Sequence, residues 1–212
     1  MQKQSNWKGT RNSKQNSAEL ISREPKTKFY SFTNSKGTTL VEIMVVVGIL
    51  AILGSVGVPG LLSIITKARI TSETNQMNSL IRFARFTAID QEQSTVLCPA
   101  NDYSKCESDW NSPKIVFIDK NNNNERDPQE PMLMSLVNPS ENTVLHSRNK
   151  LIRFYESGIT ASPASVRICP ASKDETFARL LTVSLQGKVK LSSDKNDDGI
   201  HENSSGKPLS CL

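Results

Sequence analysis

The sequence predicts an α+β protein: a long N-terminal α-helix, kinked near Pro59, packed on a C-terminal antiparallel β domain. Two observations carry that prediction. An apolar run from Leu40 to Ile65 passes, without a convincing stop, into an amphipathic pattern that continues to about Gln91. After Gln91 come eight short β-prone runs, separated by clusters of Asn, Asp, Pro, Ser and Gly. With 212 residues the chain has room for one domain of ordinary size plus an anchor.

The first 37 residues are rich in Ser, Asn, Lys and Gln and carry eight basic groups against Glu19 and Glu24. Their charge of +6 exceeds the +5 of the whole chain, so everything after Gly37 sums to −1. A nucleic-acid reading from net charge alone is therefore weak. The segment has too little apolar surface to offset chain entropy, so it is expected to be disordered. A basic flank before an apolar helix predicts a cytoplasmic N-terminus, with the rest of the chain emerging on the far side.

Residues 38–65 are expected to form a membrane-spanning helix. At about 1.5 Å per residue, Leu40 to Ile65 is long enough to cross a hydrocarbon core of about 30 Å. Its one charged residue is Glu42. A carboxylate there costs a few kcal/mol, roughly, unless it is paired or reaches the interface. The helix dipole would return only about 0.3–1 kcal/mol. Pro59, beside Gly54, Gly57 and Gly60, removes a helical hydrogen bond and predicts the kink. Over residues 66–92 the helix turns amphipathic. Ile70, Met77, Leu80, Ile81, Ala84 and Ala88 recur at three- and four-residue spacing, which predicts one face on a globular domain.

Residues 93–212 hold the β-prone runs STVLCP, KIVFID, PMLMSLV, TVLHS, LIRFYE, VRICP, RLLTVS and KVKLS. Cys98, Cys106, Cys169 and Cys211 all lie beyond the apolar run. An even count on the extracytoplasmic side favours disulfides, with three pairings open. Zinc is disfavoured, because there is no C-x-x-C pair and His146 and His201 show no ligand spacing. Two acidic loops raise a calcium question. Asp119, Asn121, Asn123, Glu125, Asp127 and Glu130 fall at positions 1, 3, 5, 7, 9 and 12 of an EF-hand-like loop, with Asn124 where glycine is wanted. A second run, Asp194–Gly199, starts similarly; an Asp/Asn-rich turn suffices to explain either. No G-x-S-x-G, H-E-x-x-H, P-loop or G-x-G-x-x-G is present, so no enzyme is expected.

The stretch KGTTLVEIMVVVGILAILGSVGVPG resembles the type III signal of type IV prepilins and pseudopilins. The resemblance implies a type IV pilin-like fold and a leader, residues 1–37, that a prepilin peptidase removes after Gly37. Thr38 would then be the N-methylated first residue, in a position usually held by Phe or Met. It also implies an assembly role for Glu42, pairing with the α-amino group of a neighbouring subunit, and for Pro59 as a helix-loosening residue. LIRFARFTAIDQEQSTVLCP followed by IVFIDKNNNNERDPQEPML, then VRICP, RLLTVSLQGKVK and a terminal Cys, resemble the FimT/GspH-type minor pilins. Chain order and proximity within that resemblance suggest Cys98–Cys106 and Cys169–Cys211. The implied function is that of a minor pilin or pseudopilin that primes or caps a type IV pilus or a type II secretion pseudopilus. The implied location is the bacterial inner membrane, single-pass with a periplasmic C-terminal domain, and then the filament. The implied partners are the peptidase and other pilins, through the N-terminal helix. A DNA-binding G-R-x-R motif of FimT-like proteins aligns with Gly187-Lys188-Val189-Lys190, making Lys188 and Lys190 candidates for DNA uptake. A hairpin turn at Gly187 followed by a solvent-facing strand explains the same residues.

Overall fold

The structure, a computed structural model, describes residues 37–211. The expected leader, apart from Gly37, lies outside them. The described residues fall into two units, divided between Gly48 and Ile49. Helix α1 (Leu40–Asp90) is long and bent. Its helical course continues through Pro59. The side chains of Val56 to Pro59, on which the expected kink falls, lie outside the described residues.

From Leu40 to Ser55 and from Gly60 to Ile65 the helix is exposed, and its character changes as the sequence predicts. Ile70, Thr74, Met77, Ile81, Ala84 and Ala88 are spaced by alternating fours and threes and are all buried, together with Leu80. Thr74 joins this stripe because its hydroxyl donates to the Ile70 carbonyl at 2.7 Å, which removes the cost of burying it. Thr87 does the same against the Phe83 carbonyl at 3.0 Å.

All eight expected strands form: β1 (Thr95–Pro99), β2 (Lys114–Ile118), β3 (Met132–Leu136), β4 (Thr143–Ser147), β5 (Ile152–Phe154), β6 (Ala164–Pro170), β7 (Arg179–Val183) and β8 (Val189–Leu191). They make two antiparallel four-stranded sheets, ordered β3-β2-β1-β5 and β4-β6-β7-β8. The buried stripe of α1 shares one core with residues of both sheets, among them Leu97, Val116, Phe154, Val166, Ile168 and Leu181. β1 and β2 are buried at every position. One face joins that core; the other, with Val96, Cys98, Ile115 and Phe117, is covered by the loop holding Ala100 and Cys106.

Cys98 is bonded to Cys106, and Cys169 to Cys211. The second bridge pins the C-terminal segment beside Ala178, Leu180 and Leu209. Gly187 closes the β7–β8 hairpin at φ +71°, with its N–H donating to the Ser184 carbonyl at 2.8 Å. A Cβ there would stand 2.0 Å from the Gly158 carbonyl oxygen and 2.6 Å from Arg85 Nε. Arg85 Nε itself donates to that carbonyl at 3.0 Å, so the hairpin is seated against α1 through glycine backbone.

Candidate functional site

The first candidate site is the start of α1. Gly37, Thr38 and Thr39 precede the helix in non-helical, exposed chain. Thr39 Oγ1 accepts the Glu42 N–H at 3.3 Å. Thr39 and Glu42 therefore stand as the cap and third residue of a T-x-x-E capping arrangement. The sequence carries this signal in TTLVE, where the resemblance marks Thr38 and Glu42 but not the capping residue Thr39. The Glu42 side chain is exposed, as are the large apolar residues from Leu40 to Leu53 and from Leu61 to Ile65. Among the described residues α1 is the one helix long and apolar enough to cross a membrane, by length and composition.

The Asp119 loop is built differently from the calcium expectation. Asp119 is buried and ion-paired with Arg153, a residue the sequence reading did not single out. Arg153 Nη1 donates to Asn122 Oδ1 at 2.6 Å, and Nη2 to Asn124 Oδ1 at 2.7 Å as well as to Asp119. The other contacts of Asp119 come from the N–H groups of Asn123 and Asn124. Asn124 takes the left-handed conformation expected of it, φ 65°. Glu130 accepts the N–H groups of Lys120 and Asp127, while Asp127 accepts from the Asn121 and Asn123 side-chain amides. Glu125 is exposed, its backbone in an isolated antiparallel β-bridge with that of Lys105. A guanidinium thus stands among the oxygens a metal would need, and this set does not fit calcium.

The second acidic loop is more open. Carboxylate oxygens of Asp194, Asp198 and Glu202 lie within 4.8 Å of one another. Asp194 accepts the N–H groups of Asp197 and Gly199, Asp198 that of Ile200, and Glu202 that of Lys195. Beside them, burial, reinforced by the charge of Arg179, holds the His201 imidazole below its ordinary range.

Lys188 and Lys190 part company. Lys188, in the turn, borders a groove of about 400 Å³ with Arg82, Arg85, Phe86 and Ile89 of α1. Lys190, in β8, pairs with Thr182 and borders a separate cleft with Lys195 and Glu202.

A helix with an uncovered apolar half, continued by an amphipathic half packed on two antiparallel sheets, is the architecture of a pilin subunit. Residues 73–187 match the family described as Type II transport protein GspH. This is more than half of the chain, and the chain belongs to that family of type IV minor pilins and pseudopilins. Its fold is similar to the crystal structure of the type IV minor pilin FimU of Pseudomonas aeruginosa, at a TM-score of 0.50 and 16% identity, covering 68% of this chain and 96% of that one. The minor pseudopilin EpsH of the Vibrio cholerae type 2 secretion system superposes with a TM-score of 0.45 and 12% identity, covering 58% of this chain and 95% of that one. In sequence, 62 residues are 37% identical to PilA4, the type IV wide pilus major component of Thermus thermophilus, covering 29% of this chain. The match spans about half, 47%, of that curated relative's length. The chain is a minor pilin or pseudopilin of a type IV pilus or type II secretion system, a structural protein and not an enzyme.

Proposed function

We propose that this subunit is inserted in the inner membrane through residues 38–65, with its N-terminus cytoplasmic and residues 93–212 periplasmic, and that it primes or caps a filament. Prepilin peptidase would cut after Gly37, and other pilins would then cover the apolar half of α1. The observation that supports this reading is the exposed apolar surface of Leu40–Leu53 and Leu61–Ile65, which begins three residues after an exposed Gly37. Glu42 is the acid such packing would bring against the amino group of a neighbouring Thr38, and a desolvated charge pair of this kind selects partner and register. Pro59 would let the helix loosen during assembly. Mass spectrometry of the protein from cells with an active prepilin peptidase tests the reading: the expected N-terminus is N-methylated Thr38. Recovery of the chain intact from Met1 would refute it.

DNA capture in natural transformation is a second reading. It is supported by the groove in which Lys188 joins Arg82, Arg85 and Phe86, the last 64% exposed. Cations beside an uncovered aromatic ring suit a nucleic-acid strand, through phosphate attraction and base stacking. The expected result is DNA binding that weakens with salt and is reduced in the Lys188→Ala, Lys190→Ala double variant. Unchanged binding in that variant would exclude the reading.

A further inference from the structure

The outer side of the second sheet carries a groove of about 510 Å³ that neither the anchor nor the Lys188 surface explains. Its floor follows from strand alternation. Leu145, Val166, Ile168 and Leu181 point into the core, which leaves His146, Ser165, Arg167 and Thr182 facing outward. His146 and Arg167 are direct neighbours across the β4–β6 ladder. One wall is the C-terminal segment from Lys207 to Ser210, held down by the Cys169–Cys211 bridge and by burial of Leu209.

The charge of this groove has one sign. Arg148 follows β4, Arg167 comes from β6 and Lys207 from the C-terminal segment, and no Asp or Glu lines the space. Among the described residues the one ion pair is Arg153–Asp119, so none of these three cations is neutralised by a carboxylate. Arg167 is also positioned. Its Nη1 donates to the Ser210 carbonyl at 2.6 Å, and its Nε is buried without an acceptor. Nε, being inaccessible, does not face the groove; Nη2, which is neither buried nor bonded, is the donor that the Ser210 contact holds in place for an oxoanion. Ser147, Asn149, Ser165 and Thr182 add neutral donors around it. Donors from three chain segments suit the several oxygens of a tetrahedral phosphate better than the flat edge of a carboxylate.

We propose that this groove is a phosphate-binding site, formed by Arg148, Arg167 and Lys207 and closed by the disulfide-pinned C-terminal segment. It lies apart from the Lys188 groove and does not depend on the DNA reading, so either can fail alone.

The test uses the full oxidised chain in an uncharged detergent, titrated calorimetrically with pyrophosphate and with a short oligothymidylate at low and high salt. Saturable binding that weakens with salt is expected. Arg148 and Lys207 are exposed and their side chains hold nothing in the fold among the described residues. The Arg148→Gln, Lys207→Gln double variant should therefore stay folded and lose affinity by about tenfold or more, while Lys188→Ala binds pyrophosphate like the parent. Binding of pyrophosphate identifies a free phosphate as sufficient. Binding of the oligonucleotide alone, lost in the double variant, identifies a phosphodiester chain as the source. The proposal is overturned if neither probe binds at low salt, if the double variant binds as the parent does, or if citrate binds as tightly as pyrophosphate.

Discussion

Lys114 offers a sharp test of how the core is built. It opens β2, opposite Pro99 on one side and Leu136 on the other, and is 1% exposed. Burial pushes its ammonium from the ordinary 10.5 down to about 8, against the opposing pull of Glu73 on α1 and Asp109 in the preceding loop. Between those two values the unfolded chain holds a proton that the folded chain has released. Stability therefore rises with pH from about 8 to 10.5, and below 8 it carries the full cost of a buried ammonium. At 1.36 kcal/mol per pH unit, the upper limit of that cost is about 3 kcal/mol. Lys114→Met keeps the volume and removes the charge, so it should be more stable than the parent at pH 7, by up to that amount. The excess should shrink as pH approaches 10.5. The measurement is urea unfolding of the oxidised chain in detergent at several pH values, followed by fluorescence of Trp110, which is itself 1% exposed. The quantity read is the difference between the two proteins at each pH. Two parallel stability curves would refute the argument.

Arg153→Ala strands a buried Asp119 and should destabilise by about 3–5 kcal/mol in the same unfolding assay, far more than loss of an exposed pair. Gly187→Ala meets the Gly158 carbonyl at a backbone angle that side chains rarely adopt; a loss of at least about 1–3 kcal/mol is expected, read as a lower melting temperature. The two disulfides should differ. On the chain-entropy model the bridge with sequence separation 42 contributes about 4 kcal/mol and the one with separation 8 about 2.6. Replacing each pair by serine, with circular dichroism as the readout, should reproduce that order.

The parts of the fold legible in the sequence are those set by local periodicity. Ile70, Met77, Leu80, Ile81, Ala84 and Ala88 announce their burial through three- and four-residue spacing, and each of the eight β-prone runs becomes a strand. The partition of those strands is not local. Nothing in TVLHS or LIRFYE says that β4 enters one sheet and β5 the other, because that choice depends on pairing with β6 and β1, distant in sequence. Buried polar groups are hidden for the same reason. Lys114 and Arg153 look like surface residues until Glu73, Asp109, Asp119 and the asparagines of the loop are brought around them. At the helix start the information is local, since TTLVE contains the cap, Thr39, as well as the acid, Glu42.

The Asp119 loop and the Gly187 turn show how a motif can be right about conformation and silent about ligand. An EF-hand-like spacing demands a left-handed residue and inward oxygens, and the loop supplies both at Asn124 and Asp119. The cation it encloses is the chain's own Arg153. In the same way Gly187 is required because a Cβ there would stand 2.0 Å from the Gly158 carbonyl oxygen, whether or not any nucleic acid were bound. The glycine of G-K-V-K therefore carries no weight for DNA, and its two lysines border different clefts. Cations become evidence for a ligand where the fold gathers them in one space with no carboxylate beside them. By that criterion Arg148, Arg167 and Lys207, which no sequence motif marks and which line one groove, make a stronger case for an anion than Lys188 and Lys190 as a pair, which border separate clefts.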